Sequence, residues 1–181
     1  MESGPVASRD CRDEITGKAV AVRRVVLAVF VLYILLVVFL LVLPNSYRGH
    51  NVLVGGLTWE RWSGYVRREF NLVPLHSLWR QVNSILSGQS GARGIVYLVG
   101  NLVGFVPLGY FLPVLFVRQH RFLTFLVTAL LAITVLEFVQ VFSMNGSFDV
   151  DDIILNAIGA CVGYWMVRKS FLNSKETRRS S

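Results

Sequence analysis

Apolar residues along this chain fall into four long runs, and polar residues fall between the runs or at a few isolated places within them. The first run, residues 25–43, reads VVLAVFVLYILLVVFLLVL and carries no charge. At about 1.5 Å of rise per residue, a helix of that length crosses a hydrocarbon core of about 30 Å. Runs at 94–117, 122–142 and 150–167 predict three further spans. RQHR (118–121) is a very short turn between two of them. Residues 1–24 and 168–181 are polar and charged, and the pattern predicts a flexible tail and a basic, disordered tail. In the second span, Pro107 and Pro113 predict a bend, and Gly100 with Gly104 forms a small-xxx-small pair that permits close helix approach. Gly159 and Gly163 repeat that pair in the fourth span.

The connection at 44–93 has a different texture. WERWSGYVRREF (59–70) mixes aromatic and basic residues, as expected of a segment at headgroup level. Between 75 and 86, Leu75, Leu78, Trp79, Val82, Ile85 and Leu86 recur at helical spacing, opposite His76, Ser77, Arg80, Gln81, Asn83 and Ser84. That is an amphipathic helix, lying flat on the membrane or packed on a small extramembrane core. The fold class that follows is an all-α integral membrane protein. It is a four-transmembrane-helix bundle with an extracytoplasmic loop carrying an amphipathic interfacial helix.

Composition agrees and removes other classes. Hydrophobic residues make up 54% and charged residues 16% of the chain, where soluble domains carry roughly a quarter charged. The formal charge of +7 would suit nucleic acid, but the basic residues flank the apolar runs and form no single stripe. The first run exceeds a signal-peptide core, and the LPNSY that follows lacks a small-x-small cleavage site. With the N-terminus in the cytoplasm, twelve Lys and Arg fall inside, against six outside: Arg48, Arg61, Arg67, Arg68, Arg80 and Arg93. Both termini are then cytoplasmic, and the basic outer loop asks for an anionic partner or lipid headgroups. Cys11 in the tail and Cys161 in a span are too differently placed for a disulfide.

Polar residues within the spans carry the candidate chemistry, because an ionisable group in a membrane needs a partner or a wet cavity. Asn101, Glu137 and Asn156 all come out roughly 8–11 Å below the outer surface at the helical rise. Gln140 shares a face with Glu137, and Asp152 with Asn156. The turn before the fourth span, with Asp149, Asp151 and Asp152, rims this level. The set forms either a ligand-binding polar cup or a hydrogen-bonded lock for the bundle. Asp149 or Asp151 also suits capping of the fourth helix, and the three acids together are a candidate cage for a divalent cation. Arg67, Arg68, Arg80 and Arg93 are candidate contacts for an anionic headgroup. If the site were enzymatic, Glu137 would be its acid or base, with Asp151 and Asp152 holding a metal near a phosphate. If the chain were a small transporter, Glu137 would be its proton site.

Four segments in order resemble the VanZ-like membrane family: NLVPL (71–75), GNLVGFVPLGY (100–110), LEFVQ (136–140) and DVDDIILNAIGACVGY (149–164). By this resemblance the family's recurring polar positions fall on Asn71, Pro74, Asn101, Pro107, Glu137, Gln140, Asp149, Asp151, Asp152 and Asn156, within a core at 71–167. Leu75 stands where many members carry Phe. The resemblance implies a multi-pass protein of the bacterial cytoplasmic membrane. It also implies a possible role in lowering susceptibility to teicoplanin-type lipoglycopeptides. It carries over no cofactor and no catalytic activity. The expected partners are membrane lipids, with a lipid-linked cell-wall precursor or a lipoglycopeptide as the ligand, and no nucleic acid.

Overall fold

A backbone crossing lipid must satisfy its own N–H and C=O groups, so apolar runs of this length fold as helices. The computed structural model describes the backbone of residues 6–42, 58–89, 91–142 and 146–180, and the side chains of 17–40, 58–89, 91–142 and 146–169. Its helices are α1 (Val6–Val42), α2 (Trp59–Arg68), α3 (His76–Leu86), α4 (Gly91–Gly104), α5 (Val106–Leu115), α6 (Phe122–Phe142) and α7 (Val150–Ser180). Two two-residue strands, β1 (Phe70–Asn71) and β2 (Phe148–Asp149), pair in parallel. Four stretches are long and apolar enough to span a membrane: Gly17–Leu40, Gly91–Leu115, Phe122–Phe142 and Val150–Lys169. The chain is an all-α, multi-pass membrane bundle.

Several boundaries differ from the expected ones, each for a local reason. The polar stretches expected as tails continue the neighbouring helices, so α1 begins at Val6 and α7 runs to Ser180. Neither stretch contains a proline beyond Pro5, and lysine, arginine and glutamate are good helix formers once a span has nucleated the helix. The second span is two helices, not one. Pro107 has no N–H to close the turn, and the chain breaks at Phe105. The Gly104 carbonyl beside the break accepts a hydrogen bond from the Tyr33 hydroxyl of α1 at 2.8 Å. RQHR lies in a 3-10 turn over Val117–His120 and Arg121.

The core is a seam along α6 and α7. Phe125, Ala129, Ile133, Glu137 and Val141 repeat every fourth residue on α6, and all are buried. Phe125 stacks on Tyr164 of α7 with centroids 4.4 Å apart, and Phe105, Leu108 and Leu112 complete the cluster. α1 leans on it through Phe30, Tyr33 and Ile34, yet no residue of its span is fully buried.

Lipid gives no hydrophobic drive between helices, so close backbone contact matters more. A Cβ on Gly109 would sit 1.8 Å from the Ala160 carbonyl oxygen. One on Gly159 would sit 1.9 Å from that of Leu102, and one on Gly163 would sit 2.0 Å from that of Val106. The pair at Gly159 and Gly163 therefore packs α7 onto the broken helix. Gly100 and Gly104 do not act as the close-packing pair expected of them, because a Cβ on either meets nothing within 4 Å.

Candidate functional site

The loop helices are fastened to the turn between α6 and α7. Thr58 caps α2, its side chain accepting from the Arg61 amide at 3.4 Å. The buried Tyr65 hydroxyl donates to the Gly146 carbonyl at 2.8 Å, and Trp62 Nε1 donates to the Phe142 carbonyl at 3.3 Å. Beyond α2, the Phe148 amide donates to the Glu69 carbonyl at 2.8 Å, and Phe70 pairs with Phe148 and Asn71 with Asp149. The Phe148 ring lies 5.0 Å from Phe70 and 4.8 Å from Phe138 of α6. Aromatic pairs of this kind add about 0.5–1.5 kcal/mol beyond their buried area.

Each acid of the turn has its own partners. Asp149 caps α7: its Oδ1 accepts the Asp151 amide at 2.9 Å, and both its oxygens face Asn71 Nδ2 at 3.2 Å. Asn71 Nδ2 also donates to Ser77 Oγ at 2.8 Å. Asp151 serves another helix. Its carboxylate accepts the backbone amides of Leu75 and Leu78, the latter at 2.9 Å, and so caps α3 from across the fold. Leu75 cannot do this itself, having no polar side chain and a left-handed backbone (φ 64°). Asp152 turns inward, where Tyr97 Oη donates to it at 2.5 Å and Asn101 Nδ2 at 2.9 Å. Deeper still, Asn156 Nδ2 donates to Glu137 Oε1 at 3.4 Å. Gln140 sits below the turn, its carbonyl accepting the Gly146 amide at 3.2 Å.

The polar residues within the spans meet as two hydrogen-bonded pairs, Asn101 with Asp152 and Glu137 with Asn156. Glu137, Asp149, Asp151, Asp152 and Asn156 are all buried. The proposed cation cage does not fit this arrangement. The three acids point to three different helices, and among the described residues no group of three His, Cys, Asp or Glu side chains is placed to hold a metal. Tyr97 was missing from the sequence-based set. A tyrosine near a span end reads as an interfacial anchor, and only its spacing of four from Asn101, on one helix face, hinted at a shared partner.

Above this network lies an open pocket of about 710 Å³ between α3 and α4. Arg80 and Arg93 line it, with Ser77, Gln81 and Gln89 on the same side as Arg80, and Tyr97, Ser147 and Asp149 along its base. Neither arginine makes an ion pair or hydrogen bond with another described residue. Arg67 and Arg68 end α2 and are exposed, but they do not line the pocket, and neither does Glu137. α3 stands as one wall, its apolar face split in two. Leu78, Val82 and Ile85 are half-buried, while Leu75, Trp79 and Leu86 are exposed.

A VanZ/LLP1 family model matches residues 30–173, from the middle of α1 through nearly all of α7. The chain belongs to the VanZ/LLP1 family. No curated protein and no solved structure matches it. The VanZ/LLP1 match covers every element of the polar network and both walls of the pocket. It begins upstream of the first segment that carried the resemblance and takes in residues 30–42 of α1.

Proposed function

We propose that this VanZ/LLP1 protein is a binding module for the anionic headgroup of a cell-envelope amphiphile. One observation carries the reading: two guanidinium groups, Arg80 and Arg93, unpaired among the described residues, share an open polar pocket at the end of a membrane bundle. Guanidinium forks match phosphate oxygens, and an exposed cationic pocket raises the local concentration of anions. The exposed Leu75, Trp79 and Leu86 of α3 sit beside it as an apolar shelf for the lipid body. In this reading the protein lies in the bacterial cytoplasmic membrane with both termini in the cytoplasm, and the pocket opens on the outer leaflet. Sequestering or masking an anionic envelope lipid there would lower susceptibility to teicoplanin-type lipoglycopeptides.

The test is teicoplanin and vancomycin susceptibility in a deletion host expressing wild type, the Arg80→Gln/Arg93→Gln double variant, Glu137→Gln or Asp152→Asn, with membrane abundance followed. Selective loss of teicoplanin protection by the arginine variant at normal abundance is the expected result. Full protection by that variant would overturn the pocket reading. Losses that track abundance in Glu137→Gln and Asp152→Asn fit their place in the buried network.

A further inference from the structure

We infer that the pocket selects a polyol phosphodiester, a singly charged phosphate carrying neutral hydroxyls, over anions that lack hydroxyl groups. The inference rests on the headgroup reading above and names the chemistry of the group bound. Among the described residues lining the pocket, the charged ones are Arg80, Arg93 and Asp149, a net charge of +1. That balances a phosphodiester, whereas a phosphomonoester or pyrophosphate would remain under-neutralised beside a buried carboxylate. The phosphate belongs at the arginine side, since the same charge placed on Asp149 would be repelled.

The rest of the pocket is built for hydroxyls. At about 710 Å³ it is far larger than a bare phosphate needs, and the remaining polar lining is uncharged: Ser77, Gln81, Gln89, Ser147 and Tyr97. Side-chain amides both donate and accept, which suits a hydroxyl, itself donor and acceptor. Asp149 keeps acceptor capacity. Its two oxygens offer about four lone-pair sites, and the described donors to them are Asn71 Nδ2 and the Asp151 amide. A hydroxyl donating to Asp149 meets an acceptor already fixed in place by capping α7, so no side chain must be ordered when the ligand arrives. An ammonium-bearing headgroup would also meet Asp149. It would leave the amides with fewer partners, and its zero net charge would leave the pocket's own charge uncompensated.

The experiment is calorimetric titration of the purified full chain in a neutral detergent with short-chain lipids. Dioctanoyl phosphatidylglycerol and dioctanoyl phosphatidylmethanol carry the same single charge and differ in the terminal hydroxyls. Phosphatidylglycerol is expected to bind about tenfold more tightly, the equivalent of one or two net hydrogen bonds. Gln81→Leu/Gln89→Leu is expected to lower phosphatidylglycerol affinity more than phosphatidylmethanol affinity and so narrow that gap. Equal affinity for the two lipids would overturn the polyol inference and leave the anionic-headgroup reading standing. Binding of neither would overturn both. Free glycerophosphoglycerol assigns the source: affinity equal to the lipid's supports a soluble or polymeric polyol phosphate, and much weaker affinity supports a membrane lipid. Because the comparison is between ligands on one unmodified protein, it does not depend on any variant folding.

Discussion

Asp151 gives the sharpest test of how the loop is held to the membrane bundle. Its carboxylate accepts two amides, Leu75 and Leu78, at the start of α3. Hydrogen bonds to a charged acceptor contribute about 1.5–3 kcal/mol each, and a helix N-terminus favours the negative charge further. Asp151 is 2% exposed, so water cannot readily replace it. Taking the lower value for each bond, Asp151→Ala removes about 3 kcal/mol from the first turn of α3. Asp151→Asn keeps one acceptor but turns an amide donor toward the other N–H, and removes about half of that. With tenfold per 1.4 kcal/mol, local opening rises roughly tenfold for Asn and roughly hundredfold for Ala. Hydrogen–deuterium exchange of the full chain in nanodiscs measures this at residues 75–79, with 125–133 of the core as an internal control. Faster exchange in the graded order Asp, Asn, Ala, with the core unchanged, is expected. Equal protection at 75–79 in all three proteins would show that Asp151 does not hold α3. Uniform loss including the core would show that it holds the whole fold instead.

Other substitutions separate the packing claims. Gly163→Ala places a methyl 2.0 Å from the Val106 carbonyl oxygen and is expected to lower thermal stability in detergent by at least about 1–3 kcal/mol. Gly100→Ala meets open space and should be neutral or raise the melting temperature, since alanine is the better helix former. Tyr97→Phe deletes the hydroxyl donor to Asp152 and should cost about 1–3 kcal/mol; in an Asp152→Asn background the added loss should be clearly smaller. Additive losses would separate the two residues. Glu137→Leu leaves the buried Asn156 amide without its acceptor and is expected to destabilise by about 1–3 kcal/mol more than Glu137→Gln, which retains one.

Which residues carry the polar contacts was readable from the chain, and their pairing was not. Counting residues from span ends expects Asn101, Glu137 and Asn156 at one level, whereas Asn101 pairs with Asp152 and Glu137 with Asn156, one turn further along α7. α6 spans 122–142 as its apolar run predicts, and α7 begins at Val150. Which of two identical small-xxx-small pairs packs depends on the partner face, so Gly159–Gly163 and Gly100–Gly104 look alike until α5 is in place. The partners of Asp151 lay out of reach for a related reason. Local capping by the nearest acid is the default expectation, and here Asp149 does that work while Asp151 serves a helix more than sixty residues earlier. The parallel bridge was invisible because two residues show no alternation.

That bridge also sets an order of events. Asn71 meets Asp149 across a separation of 78 residues, and the segment bearing Arg80 is synthesised before the turn it docks on. Helices α6 and α7 are neighbours in the chain and can pair as a local hairpin, whereas the loop's anchors, Gly146, Phe148, Asp149 and Asp151, arrive only with that hairpin. The pocket therefore depends on contacts that the chain can make only after its last span has been synthesised. Until α7 is in place, the arginine-bearing loop has no seat, so the pocket exists only once the spans are complete.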